Sequence, residues 1–388
     1  MAKSRRRARG EGSVFQRKNG RWVVQVYIED GKRKQFYVGS EREGIQKLRQ
    51  VQREIEEGTL ATGKQQKLGD YLIDWIENVH RDNLRISTYV KYKKLVKYVV
   101  ADLGHIWLKK LTPQQVRRFY TKLGERLSSK TVHEVHGVLR LALANAVRWN
   151  LVSRNVCELV KPPRVVKRDV KPLTLHQARA LLEQARGHRL EVLLTVAVVT
   201  GMRRGELLAL RWSSIDFERH YLIVEHTVDF IARYGYVENE PKTAAGKRLI
   251  HLPLFLVDML KQHRIEQLGR RSQCGDAWKD HDLVFANLHG GYFSPRYLGD
   301  LFNGLLKKAG LVPMHFHDLR HSAATILMGM GVNAKAVQEL LGHSDISITL
   351  GIYGHVLPSM QQDIVDIWDG EFGGESENND RNEEGDGK

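Results

Sequence analysis

The sequence predicts a multidomain, mainly α protein. A small β-sheet-plus-helix domain comes first, a helical domain second, and an α+β domain third. Three features carry this. β-rich runs separated by turn dipeptides occur before about residue 63. Apolar residues at helical spacing dominate from Leu68 onward. A strand-rich section over 221–253 interrupts the helices of the last region. With 388 residues, the chain is long enough for two or three domains of roughly 100–200 residues each.

In the first region, residues 21–29 and 34–38 are rich in β-branched and aromatic side chains and flank Asp30-Gly31. Asp-Gly between such runs signals a hairpin, because both residues tolerate a positive φ. A run at 13–16 adds a third strand, turned at Asn19-Gly20, and a polar helix over 41–57 ends near Gly58. A polar linker covers 61–67. Beyond it, Tyr71, Leu72, Trp75, Ile76 and Val79 recur at helical spacing, as do Tyr89, Tyr92, Val96 and Val99, and later Val132, Val135, Leu139, Leu143 and Val147. Thr112 caps a helix with Pro113 at its first position, where a missing N–H does no harm. Lys91, Lys93, Lys94, Lys97, Lys109 and Lys110 decorate this bundle, as a solvated face or as phosphate contacts. Residues 160–172 (VKPPRVVKRDVKP) form a basic, proline-bearing linker, a composition that stays extended. Thr174 then caps a helix, and 190–200 form a buried apolar one. Strands with a turn at 243–246 follow, helices resume near Phe255, and a helix over 360–368 closes the ordered chain. The expected domains are therefore 1–63, 66–155 and 170–370, with an acidic disordered tail at 371–388.

Charge narrows the partners. The formal net charge is +16, and a surplus of that size attracts polyanions, nucleic acid foremost. Residues 1–34 carry eleven Lys/Arg against three acids, which suits a nucleic-acid-binding arm. The final eighteen residues carry seven acids against two basic residues, which suits a disordered tail. Arg17, Lys18, Arg21, Lys32, Arg33 and Lys34 lie on or beside the N-terminal strands. A sheet can enter the major groove of DNA, and the alternative is a solvated basic face. Two cysteines, Cys157 and Cys274, give neither a disulfide framework nor a zinc pattern, which fits a reducing cytosol. No apolar stretch follows the basic N-terminus as a secretory signal requires. The longest apolar stretch, 190–199, falls well short of the ~20 residues that span a bilayer.

Five short polar motifs follow one another in the last region: TGMRRGELLALRW with Arg203, PKTAAGKRLIHLP with Lys242, HDLRHSAAT with His317, Arg320 and His321, LGHSD with His343, and TLGIYGHV with Tyr353. Each alone is weak. An arginine near a helix end is usually half of an ion pair, and a lone tyrosine is usually core. No phosphate-binding loop of the form G-x-x-x-x-G-K-[ST] is present. Nor is there a carboxylate cluster of the kind a two-metal nuclease needs.

Taken in this order, the five motifs resemble the catalytic domain of the tyrosine recombinases, or phage integrases, over about 170–370. The H-x-x-R, L-G-H and Y block is the most specific part. The helical segment resembles that family's core-site-binding domain, and residues 1–63 resemble the arm-binding domain of integrases that recognise a second class of DNA site. The resemblance implies that Arg203, Lys242, His317, Arg320, His343 and Tyr353 are catalytic. Two guanidiniums, Arg203 and Arg320, would offset charge on the non-bridging phosphate oxygens without a metal. His343 would donate a further hydrogen bond. Tyr353 would attack phosphorus to give a covalent 3′-phosphotyrosine, with His317 assisting its deprotonation and Lys242 protonating the leaving 5′-oxygen. Such an intermediate conserves the phosphodiester energy, so neither ATP, metal nor any other cofactor is expected. Glu206 is expected to orient an arginine, and Asp318 to be structural. Two departures from the family pattern, Gly246 where many relatives carry Ser and Met202 where Leu is more common, leave the catalytic set intact.

The expected function is site-specific recombination that integrates, or integrates and excises, a phage or mobile element. The expected partners are double-stranded DNA at core and arm sites, three further copies of the chain in a tetramer on synapsed DNA, and accessory directionality or DNA-bending proteins. The expected location is the bacterial cytoplasm, at the nucleoid. A chromosome-dimer-resolving recombinase of the Xer type would lack the N-terminal unit. Two readings from other classes are a DNA-binding regulator that keeps the fold without cutting, and a metal-dependent nuclease built on His317, Asp318 and His321. Beyond Tyr353, the apolar residues Ile364, Val365, Ile367 and Trp368 either dock on a neighbouring protomer or pack within their own chain.

Overall fold

A computed structural model of the chain describes residues 12–27, 33–56, 65–79, 81–165, 171–241 and 244–346. Within these, the chain divides into two compact units, 1–168 and 169–388. The Asp30-Gly31 turn, Lys32, Lys242, Tyr353, the helix expected over 360–368 and the acidic tail lie outside the described residues.

The first unit opens with three antiparallel strands in the order β1 (Ser13–Gln16), β2 (Trp22–Tyr27) and β3 (Arg33–Val38), followed by helix α1 (Glu41–Glu56). Side chains alternate across a strand, so register decides which face each residue joins. Val14, Val24 and Phe36 are opposite one another, as are Val26 and Lys34. This set faces α1, where Val26, Val51, Phe36, Leu48 and Ile55 form a small core. The other face buries Val23 but is otherwise open, carrying Gln25, Tyr27, Arg33, Gln35 and Tyr37, with Tyr27 42% and Tyr37 57% exposed.

Helices α2 (Leu68–Asp74), α3 (Ile86–Leu103), α4 (Pro113–Gly124) and α5 (Ser129–Arg148) follow. Their apolar stripes converge on one core that includes Leu72, Trp75, Val99, Phe119, Leu123, Leu139 and Leu143. The helical run expected through Val79 continues past α2 as a widened π turn, Trp75–Val79. This turn still buries Trp75 and Ile76, and Trp75 stacks on Tyr92. The buried Tyr71 hydroxyl donates to the Ala142 carbonyl at 2.6 Å, and burial drives its pKa upward. Two of the decorating lysines are held in ion pairs, Lys91 with Glu134 and Lys93 with Glu77.

In the second unit, α6 (Leu175–Gln184), α7 (Glu191–Thr200) and α8 (Arg204–Leu208) precede the strands. The strand-rich section is two separate sheets. One is ordered β4 (Ile215–Asp216), β5 (Tyr221–Val224), β8 (Arg248–His251), and the other pairs β6 (Thr227–Ile231) with β7 (Gly235–Asn239). Helices α9 (Leu254–Cys274), α10 (Pro295–Lys308), α11 (Asp318–Gly329) and α12 (Ala334–Leu341) complete the described chain. The core takes Leu193, Leu194 and Val196 from α7, Leu256 and Leu260 from α9, and Leu298, Phe302 and Leu306 from α10. No described helix is long and apolar enough to cross a membrane.

Both expected caps form. Thr112 Oγ1 accepts from the Gln115 amide while Gln115 Oε1 accepts from the Thr112 amide, and Thr174 and Gln177 do the same at α6. Each pair satisfies two backbone donors that a helix start otherwise leaves unmatched. Thr112→Ala should therefore lower stability by about 1 kcal/mol, measurable by urea denaturation. An unchanged midpoint would show that the cap contributes nothing.

Candidate active site

Four of the six motif residues meet in the second unit. The apolar helix α7 ends at Gly201, whose φ of +61° reverses the chain. A glycine takes this left-handed conformation without steric cost. The turn delivers Arg203 to the start of α8, where the Glu206 side chain accepts from the Arg203 amide at 2.9 Å. Helix α11 begins just after His317 and carries the 3%-exposed Arg320 inward. Helix α12 ends at Gly342, φ +66°, and presents His343.

The end of α12 organises these pieces. The last carbonyls of a helix have no partner within it. Here the Gln338 and Glu339 carbonyls accept from the His343 and Gly342 amides. The next three are taken by three different arginines. Arg248 Nε donates to Leu340 O at 2.7 Å, Arg320 Nη2 to Leu341 O at 2.6 Å, and Arg203 Nη2 to Gly342 O at 3.2 Å. Arg320 also donates to Gly201 O at 2.8 Å, which ties the α7 turn to the α12 end. The partial negative charge at a helix C-terminus favours cations there.

One buried carboxylate balances part of this charge. Glu206, 3% exposed, accepts from Arg203 Nη1 at 2.7 Å and from Arg248 Nη2 at 2.9 Å. Burial alone opposes its ionisation, but Arg248 and Arg203 overcome that and hold its pKa below the usual carboxylate range. Asp318 accepts from the His315 amide at 2.9 Å, fixing the segment before α11.

A cavity of about 800 Å³ opens above these groups. Arg203, His317 and His343 line it, with Arg204, Thr227, Asp229, Asn303 and Ser344 around them. The His317 and His343 imidazoles there favour the neutral form. Burial, then the Arg320 and Arg203 guanidiniums, push His343 down to about 4. Burial and the neighbouring His321 and Arg320 lower His317, and burial lowers His321 despite Asp318. The fixed positive charge here is therefore guanidinium, while the histidines can exchange a proton.

Of the basic residues at the N-terminal strands, Arg17 and Arg33 share the open sheet face. Arg17 donates to Gln35 Oε1 at 2.7 Å and lies over the Tyr37 ring, and Arg33 lies over Tyr27. Lys18 and Arg21 are exposed at the β1–β2 turn. Lys34 departs from the group, because its register puts it beside Val26 and Phe36 on the helix-covered face. Arg248 is the residue that motif reading missed. Alternation along β8 puts it on the same inward face as the buried Ile250, and a charge at a core-facing position was the available signal.

Comparison with known proteins places this geometry. A family model described as the phage integrase family matches residues 171–360. A second, the N-terminal SAM-like domain of phage integrases, matches 67–124. Over 376 residues, 90% of this chain and 96% of the relative, the sequence is 30% identical to a tyrosine recombinase XerC-like protein of Caldanaerobacter subterraneus subsp. tengcongensis. It is 28% identical to an integrase of Streptomyces ambofaciens across 95% of this chain and 98% of that one. Among solved structures, the Tn1549 transposon integrase in complex with transposon right end DNA matches with a TM-score of 0.67 and 23% identity, over 78% of this chain and 99% of that one. The lambda integrase of a tetramer bound to a Holliday junction matches with a TM-score of 0.56 and 20% identity, over 86% and 96%. At these identities the structural likeness shows a shared fold.

The depressed histidines give a pH signature. Between pH 6.5 and about 4, an unfolded His343 takes up a proton that the folded one refuses. Stability should thus fall as pH drops through that window, and His317 and His321 add the same sign. Thermal unfolding at about pH 7 and about pH 5 should show a lower midpoint at the acid value, with a shallower drop in His343→Gln. A midpoint that rises on acidification would contradict this.

Proposed function

The chain belongs to the phage integrase family of tyrosine recombinases, which are site-specific DNA recombinases, and we propose that it integrates and excises a phage or other mobile element by way of a covalent 3′-phosphotyrosine. The observation that carries this is the convergence of Arg203, Arg320 and His343 on the end of α12, beside a cavity open to a phosphate.

The chemistry follows from the groups present. A guanidinium has five N–H donors in a planar fork. Arg203 spends one N–H of each Nη on Glu206 and Gly342, which leaves donors for the non-bridging oxygens of a scissile phosphate. Arg320 supplies the second guanidinium. Both are fixed before substrate arrives, so they offset developing charge with little reorganisation. His343, neutral, donates one N–H to the phosphate. Tyr353 attacks phosphorus, its proton passing towards the neutral His317, and the P–O bond to the 5′-oxygen breaks as Lys242 protonates that oxygen. Rejoining reverses the step with a 5′-hydroxyl of the other duplex. Exchange between two duplexes cuts four strands, so four copies of the chain assemble on synapsed DNA. The work is done in the bacterial cytoplasm at the nucleoid, where directionality and DNA-bending proteins set the outcome.

Residues 66–155 hold the core site, and residues 1–63 hold a separate arm site. The open sheet face is suited to the second task. Arg17 and Arg33 meet phosphate, while the Gln25 amide, whose Oε1 accepts from Gln35 at 2.8 Å, turns its N–H donors to base edges.

Incubating the protein with a duplex carrying its attachment site should give a covalent adduct on a denaturing gel. Tyr353→Phe should abolish the adduct while binding persists, and Arg320→Ala should slow its formation by ~10²–10³-fold. Binding by wild type without any adduct would favour a non-cutting regulator. For the arm domain, replacing Arg17 and Arg33 together by Ala should weaken binding to DNA flanking the core site and make the salt dependence less steep. Core-site binding should be unaffected, and equal losses at both sites would reject the assignment.

A further inference from the structure

Arg248 lies outside the catalytic motif positions, yet it is among the most constrained side chains in the second unit. It is 7% exposed and enters the interior from the inward face of β8. Burying a guanidinium is costly unless its donors are matched. Here they are matched by three segments far apart in sequence. Nη2 donates to Glu206 at 2.9 Å, Nε to the Leu340 carbonyl at 2.7 Å, and Nη1 to the Gly246 carbonyl at 3.2 Å. The stem is tightly placed as well, because a Cβ on Gly342 would lie 3.1 Å from Arg248 Cδ.

Each acceptor controls something else. The Glu206 carboxylate that Arg248 holds also holds the Arg203 guanidinium. Leu340 lies one residue before the carbonyl that fixes Arg320 and three before His343. The cavity lining includes Arg203 and His343 but not Arg248. Two of the groups that line the cavity, Arg203 and His343, are thus referred to one buried guanidinium that does not line it. Resting on the strand-cleavage reading above, we propose that Arg248 is a positioning residue. It fixes where Arg203 and His343 present their donors to the scissile phosphate, through Glu206 and the end of α12, without touching DNA. Lysine cannot replace it, because a single ammonium does not span three acceptors in a plane.

The test compares two substrates with the full-length protein. One duplex carries the attachment core site with an ordinary scissile phosphodiester. The other carries an uncharged methylphosphonate at that position, which removes the non-bridging charge the guanidiniums would meet. With the phosphodiester, Arg248→Lys should form adduct roughly tenfold to a hundredfold more slowly than wild type. With the methylphosphonate, the two proteins should differ by less than about threefold, since misplaced guanidiniums matter little when no charge needs offsetting. Equal losses on both substrates would show a merely structural role and overturn the proposal, as would no loss on either. If Arg248→Lys does not fold, Glu206→Gln keeps the shape but removes the carboxylate charge that links Arg248 to Arg203. It should show the same dependence on substrate charge, and its absence counts equally against the proposal. Wild-type protein that forms no adduct on the phosphodiester would remove the cleavage reading itself. Normal wild-type adduct with an unaffected variant would remove only the role of Arg248.

Discussion

The last turn of α12 exposes backbone carbonyls that no helix can satisfy, and three arginines take three of them in succession. Leu340 O, Leu341 O and Gly342 O receive Arg248, Arg320 and Arg203. Every other feature of the site depends on this. The α7 turn is anchored because Arg320 also reaches Gly201 O. The β8 strand is anchored through Arg248, and α8 through Arg203. Segments scattered from 201 to 343 thus share one point of reference, and it is made of main chain.

Such a concentration of positive charge needs an acid, and Glu206 supplies one. Three guanidiniums at the end of α12 would repel one another, and this one buried carboxylate tempers that while leaving them donors for a phosphate. The carboxylate is nearly fully buried and accepts from two side chains and one amide. Removing one partner of a buried ion pair typically costs ~3–5 kcal/mol, because the other charge is left uncompensated. Burial first, and the same guanidiniums after it, hold His317 and His343 below the usual imidazole range. The arginines therefore add to burial in favouring neutral histidines around them.

The parts legible in the sequence are those with local chemistry. Thr112 and Thr174 announce helix starts because capping involves residues three apart. Gly201 announces the end of α7, and three of the five short motifs name Arg203, His317 and His343, which line the cavity. What was hidden depends on distant partners. The section over 221–253 reads as one run of strands, but β5 pairs with β8 while β6 and β7 pair with each other. Nothing local distinguishes those pairings. The π turn at Trp75–Val79 keeps the apolar spacing of an ordinary helix. Lys93 reads as a surface charge until Glu77 is brought beside it. Arg33 and Lys34 look equivalent in composition, yet alternation sends them to opposite faces. The carbonyl contacts were beyond reach altogether, since every residue carries a carbonyl and none marks it.

That last point bears on how this site can drift and be re-engineered. Contacts made to main chain do not record the identity of the side chains that bear them. Leu340 and Leu341 can be exchanged for other residues that fill the same space, and the arginines keep their acceptors. Length is another matter. One residue added within α12 turns its end by about 100° about the helix axis, so all three carbonyls leave their arginines together. Gly342 is fixed for a related reason, because a side chain there would meet the Ala245 carbonyl at 2.6 Å. Descendants of this protein are thus free to vary in the letters of α12 but not in their number.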